Sequence, residues 1–380
     1  MTLFGISTRK FILLLLILSV LLFGLPQHRQ GNEPVRKLDQ RNWITNNGGN
    51  FITPIDQPLS FPEDHGEHSG VQKELWQFSG MLKDYKGKNY GFQVTVSRLN
   101  LGNDLPQRQS AWAASNIYRA QLAYAPEDGE RFILKQRTSR DAIGLAGYQS
   151  DHTDLQKLWL YDWQVLVLQT PAGQSRFILQ LADKNDNLQL TLQPVKPAIE
   201  MSLIEQMKFY GISRLQAEGS LQIGGQSRTV SGVAFFDHAW GNLPIGGGQL
   251  VWNRFFLQLS NGQELAILQS RRKDGSGTPI HSGYLIDRNS EVVEMSRKQF
   301  ELKILEYWQS QKTGINYPLS WQVIIPDKRL TLTINALIKD QEINDEFVNW
   351  SGTVQIVGEA AGTKVQGSGL LQLSGYETVR

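Results

Sequence analysis

From about residue 72 onward the apolar residues of this chain recur at a spacing close to two, a period that suits extended strands and leaves little room for amphipathic helices. In residues 89–99, Tyr90, Phe92, Val94 and Val96 share one face while Gln93, Thr95 and Ser97 take the other, as in a half-buried strand. The same reading recurs around turn residues. Residues 177–181 and 188–192 flank the turn 183–187, residues 215–223 and 229–235 flank Gly224-Gly225, and residues 255–259 and 264–268 flank Asn261-Gly262. Asn-Gly is the strongest of these signals because both residues tolerate positive φ. Hairpins that follow one another without helices predict antiparallel sheets, closed or sandwiched so that few edges are left. Residues 110–124 and 197–207 are compatible with helix or loop.

The chain has 380 residues, which at about 150 residues per domain predicts two domains. The proline-bearing stretch 194–197 is the expected boundary, giving an N-terminal unit over 55–195 and a C-terminal unit over 196–380. At the start, Arg9-Lys10 precede an apolar run over 11–25 and then polar residues, the layout of a signal peptide or short anchor over 1–26. That run is shorter than the roughly 20 residues that span a bilayer. Residues 27–54 read as a polar tether. The protein is therefore expected in the periplasm or secreted, with membrane contact only through its N-terminal segment.

Lys and Arg number 38 against 36 Asp and Glu, with no long block of one sign, so a nucleic-acid partner is not expected. The absence of cysteine removes disulfides, thiolate metal sites and a Cys nucleophile. No Gly-x-Ser-x-Gly elbow is present, which argues against a serine triad. Asp64, His65 and His68 lack a further nearby histidine and read as a loop docked on a barrel rim, not as a metal site. Asp183, Asn185 and Asn187 read as a polar hairpin tip, and Gly246–Gly248 lack the Lys and helix of a phosphate cradle. No cofactor is expected.

Several segments carry a family resemblance: FPEDHGEHSGVQKELWQFSGML at 61–82, LWLYDW at 158–163, FYGISRL at 209–215, VSGVAFFDHAWG at 230–241, LVWNRFFLQLSNGQELAILQSRRKDGS at 250–276 and GSGLLQLSGY at 367–376. Together they resemble the carotenoid 1,2-hydratase/AttH-like lipocalin family. The resemblance implies an all-β fold of two tandem lipocalin-like antiparallel β-barrels around an apolar pocket. It further implies Asp237, His238 and Trp240 as catalytic residues, with Trp76, Tyr210, Arg214, Trp252 and Asn253 against the ligand. Hydration of an isoprenoid double bond needs an acid, an electron-rich wall for the carbocation and a placed water. Ala239, Asn253, Ser351 and Gln372 stand where typical family members carry carboxylates, leaving Asp237 and Glu342 as acids. The leading expectation is thus a binder of an apolar lipid or isoprenoid. The alternatives are a hydratase with Asp237 as acid and His238 placing water, and an accessory factor of an ABC-type export permease.

Overall fold

The computed structural model describes residues 51–377 apart from 53, 55–57, 103–109, 111, 130–131, 152–154, 171–172, 203–206, 243–249, 274–279 and 345–347. The expected leader over 1–26, nearly all of the tether and Gly246–Gly248 lie outside the described residues. The described chain is all-β, with short 3-10 turns and no helix long and apolar enough to cross a membrane.

The first sheet comprises β1 (Lys73–Asp84), β2 (Asn89–Asn100), β3 (Asn116–Pro126), β4 (Ile133–Arg140), β5 (Ala146–Ser150), β6 (Leu155–Leu160), β7 (Trp163–Gln169), β8 (Ser175–Asp183), β9 (Asp186–Pro194), β10 (Ala198–Glu200), β11 (Met207–Ile223) and β12 (Gln226–Gly241). The second comprises β13 (Leu250–Leu259), β14 (Glu264–Arg272), β15 (Ile280–Ile286), β16 (Val292–Ser296), β17 (Glu301–Gln309), β18 (Asn316–Ile325), β19 (Leu330–Ala336), β20 (Glu342–Ile343), β21 (Asn349–Ala360) and β22 (Thr363–Ser374). The orders are β4-β3-β2-β1-β12-β11-β9-β8-β7-β6-β5, with β10 on β11, and β16-β15-β14-β13-β22-β21-β19-β18-β17, with β20 on β21. The first curls until β3 and β4 approach β6, making a nearly closed barrel, and the second is a half-barrel.

The predicted hairpins are present. Gly224 and Gly225 both take positive φ (58° and 81°) between β11 and β12, as a two-residue hairpin turn requires. Residues 110–124, compatible with helix, become β3 from Asn116. Tyr118, Ala120, Leu122 and Tyr124 alternate into the first core, so packing settles an ambiguity that local propensity left open.

The boundary at 194–197 is corrected. That stretch joins β9 to strands of the same sheet, and β11 and β12 pair with β9 and β1, so the first sheet extends to Gly241. Proline interrupts a ladder without ending a domain.

Alternation sorts side chains into three cores. Trp76, Phe78, Tyr210, Phe236 and Trp240 fill the first barrel; Phe255, Leu257, Trp321 and Trp350 fill the second sheet's concave face. Phe209, Phe235, Ala239, Phe256 and Leu370 pack between the sheets. The sheets come close there: a Cβ on Gly91 would lie 2.1 Å from Thr353 Oγ1.

Candidate functional site

Register brings β1, β11 and β12 side by side. Trp76 and Tyr210 are the direct neighbours of His238, on β1 and β11, and Glu74 is the neighbour of Trp240. Side chains two apart on a strand share a face, so Glu74, Trp76, Tyr210, His238 and Trp240 all turn toward the first barrel. Over this end lies the segment 61–70, with a 3-10 turn at Glu63–His65. Side-chain bonds dock it. Tyr210 Oη lies 2.6 Å from His65 Nδ1, and Trp76 Nε1 donates to the His65 carbonyl at 3.1 Å. Gln156 Nε2 donates to the Pro62 carbonyl at 2.7 Å, and His238 Nδ1 donates to the Asp64 carbonyl at 2.9 Å.

Glu74 is the hub. Its Oε1 lies 2.7 Å from His68 Nδ1 and 3.0 Å from His238 Nε2, while Oε2 accepts from Arg98 Nε and Nη2 at 3.2 and 2.9 Å. The His68 amide also donates to the carboxylate, and His68 Nε2 meets Asp64 Oδ1 at 2.9 Å. His68 stacks on Trp240 with centroids 3.9 Å apart, and His238 stacks on Trp76 at 4.8 Å. Burial pushes the Glu74 carboxyl up, but the bonds to His238 and His68, with the charge of Arg98, outweigh it and hold the pKa down to about 2. Burial lowers His238 against the pull of Glu74. At His68 burial is overcome by Glu74 and Asp64, and the pKa rises.

Behind His65 is an apolar cavity of about 10 Å³, lined by Trp76, Phe78, Leu158, Val165, Phe177 and Phe236. His65 closes it, ringed by Phe61, Phe177, Phe236 and Tyr210. Burial, helped by His238, lowers the His65 pKa to about 3, so this ring is neutral in the folded protein. The unfolded chain holds the additional proton below about pH 6.5, and stability is lost as pH falls from there toward 3, at about 1.4 kcal/mol per pH unit from this group. The unfolding free-energy gap between wild type and His65→Gln should therefore shrink by about 2 kcal/mol between pH 7 and pH 5. A gap that does not move would show that His65 is not held neutral.

The AttH-like family model matches residues 53–376. The chain belongs to the AttH-like family. Its fold is similar to that of a putative AttH from Nitrosomonas europaea, with TM-score 0.71 and 22% identity over 85% of this chain and 99% of that one. Kievitone hydratase from Nectria haematococca follows with TM-score 0.60 and 16% identity over 87% and 97%. CghA in complex with Sch210972 gives TM-score 0.55 and 14% identity over 88% and 98%. A search of curated proteins finds no match. At these identities the structures establish the fold.

In this AttH-like chain the structure divides the expected site. Trp76, Tyr210, His238 and Trp240 meet at the barrel mouth. Asp237 does not join them, a correction to the expected Asp237–His238 pair. As the next residue on a strand it turns to the opposite face, where it is buried 2.7 Å from Arg254 Nη2 and burial raises its pKa against that guanidinium. Arg214 also lies between the sheets, its Nε 2.5 Å from Glu264 Oε1. Trp252 is half-buried against the inter-sheet core, and Asn253 bonds Tyr376 and Gln269 in the second sheet. Glu342 is enclosed by the hydroxyls of Ser310, Thr313 and Tyr317.

Glu74 and Arg98 are not among the expected site residues, and His68, expected in a docked loop, belongs to the same cluster. The signal for Glu74 is a charged residue in phase with Trp76 and Phe78, two positions before the tryptophan on an otherwise apolar face. The further histidine that residues 64–68 lack nearby in sequence is supplied from β12: His238 and Glu74 complete a set with His68 whose ligand atoms lie within 4.8 Å of one another.

Proposed function

We propose that the chain takes an apolar molecule of the lipid or isoprenoid class into its first barrel, through the end covered by residues 61–70. One observation carries this reading: an apolar interior has its polar groups gathered at one end, beneath a segment held by side-chain bonds instead of strand pairing. Such a pattern, mostly aromatic and aliphatic walls with a few convergent polar groups, is that of a small-molecule chamber. A cavity of about 10 Å³ holds no such molecule, so binding requires the segment to lift and His65 to leave its place. The proposal includes a location outside the cytoplasm, toward which the N-terminal charged and apolar run points.

A second reading, a hydro-lyase, draws support from the buried His238–Glu74 pair between Trp76 and Trp240. In this version the cluster of His68, Glu74 and His238 gives a proton to the alkene, the indole faces stabilise the cation, and water adds to it and returns a proton to the cluster, with Asp237 taking no part. One experiment addresses both readings. The full chain is incubated with envelope lipid and an acyclic isoprenoid alkene in ¹⁸O-water, then read by native mass spectrometry, thermal melting and product mass. A bound apolar molecule with a raised melting point is expected, and neither in a folded protein would sink the chamber. Labelled alcohol that disappears in His238→Gln would establish the hydro-lyase, and no label would remove it.

A further inference from the structure

We propose that His68, Glu74 and His238 form a binding site for a transition-metal dication of the zinc class. This goes beyond the chamber reading and does not depend on what the barrel binds. The three residues come from separate places, the segment over the barrel mouth, β1 and β12, and converge on Glu74 Oε1, 2.7 Å from His68 Nδ1 and 3.0 Å from His238 Nε2. The other nitrogen of each ring is already engaged. His68 Nε2 faces Asp64 Oδ1 and His238 Nδ1 faces the Asp64 carbonyl, both at 2.9 Å.

All four ring nitrogens thus face groups that only accept. A neutral imidazole carries one N–H, so satisfying these contacts with protons alone needs both rings to be imidazolium cations, their centroids 5.4 Å apart. Arg98, bonded to the other oxygen of Glu74, adds a third positive charge to the same buried cluster. One dication replaces the two inner protons at equal charge and binds three atoms that already face each other. The outer N–H groups then donate to Asp64, the arrangement by which carboxylate and carbonyl acceptors orient metal-bound histidines.

Two imidazole nitrogens and one carboxylate oxygen are a donor set typical of zinc, and three protein ligands leave a fourth position for water. Bonds of about 2.0–2.2 Å in a tetrahedron set donor atoms about 3.3–3.6 Å apart, so the 2.7 and 3.0 Å contacts open by about 0.3–0.9 Å and the two ring nitrogens, all three ligand atoms lying within 4.8 Å of one another, come to the same span. Trp240 and Trp76, stacked on the two rings, fix their planes and limit water. Because Asp64 and His68 lie in the covering segment, the ion would tie that segment to the barrel wall.

The test is metal binding by the full chain, stripped with chelator and dialysed against Zn²⁺ or Co²⁺. The expected result is one equivalent by elemental analysis, Co²⁺ ligand-field bands of a nitrogen-ligated site that Zn²⁺ abolishes, and a higher melting temperature. His68→Asn, a change at a partly exposed position, should lower affinity by at least about 100-fold, and Asp64→Asn by about 10–100-fold. His281→Asn, on β15 in the other sheet, should bind as the wild type does. Folded wild-type protein that takes up no stoichiometric metal would overturn the proposal. So would a folded His68→Asn variant that still binds one equivalent with the same spectrum.

Discussion

Glu74→Gln should lower the unfolding free energy by about 3–5 kcal/mol, the cost of removing one partner from a buried ion pair. Glu74 is fully buried and Arg98 is 1% exposed, so neither can turn to solvent when the other is lost. The carboxylate accepts from Arg98, two imidazole rings and the His68 amide. A carboxamide keeps one oxygen and turns N–H groups toward a guanidinium or a ring nitrogen. Denaturant unfolding followed by tryptophan fluorescence reads the loss. The paired change Glu74→Leu with Arg98→Met should recover part of it, since replacing both members of a buried pair costs less than breaking it. A single-variant loss below about 1 kcal/mol would mean that water reaches this cluster.

Glu264→Gln should cost a similar amount, about 3–5 kcal/mol, with a different signature. Glu264 on β14 is fully buried, 2.6 Å from Lys196 Nζ and 2.5 Å from Arg214 Nε. Lys196 and Arg214 belong to the first sheet's portion of the chain, and Glu264 to the second's. Each cation also donates to a carbonyl beyond Glu264, Lys196 to Gly262 and Arg214 to Leu259. Without the carboxylate the two positive charges of the first sheet's portion are left side by side at the join, with no anion on the second sheet to hold them. The heat-unfolding peak should move down and broaden or split as the sheets lose their common clamp, which calorimetry resolves. A sharp single peak at the wild-type temperature would show that the inter-sheet core of Phe209, Phe235 and Phe256 suffices to hold them together.

The strands were legible because burial on one face of a sheet writes itself into sequence at period two. Tyr90, Phe92, Val94 and Val96 lie in the first core as their spacing requires, and Asn261-Gly262 sits between β13 and β14. The same period, applied to FFDHAW, already separates Asp237 from His238. Reading the motif as a cluster of chemical types obscured what the alternation says about faces. The extent of the first sheet was not legible, since a proline marks a break in one ladder and says nothing about which sheet the next strand joins.

By itself the sequence determined the all-β class, the hairpins, the family and the face of each strand residue, because these follow from local periodicity and turn chemistry. Only the tertiary structure decided that Glu74 serves two histidines and an arginine, that Asp237 and Arg214 are clamps between sheets, and that residues 61–70 cover the barrel. Those facts depend on contacts such as His238 to Glu74, 164 positions apart, which form when sheet register closes a long loop. Register is set by the packing of whole faces, and no local pattern around either residue encodes its partner.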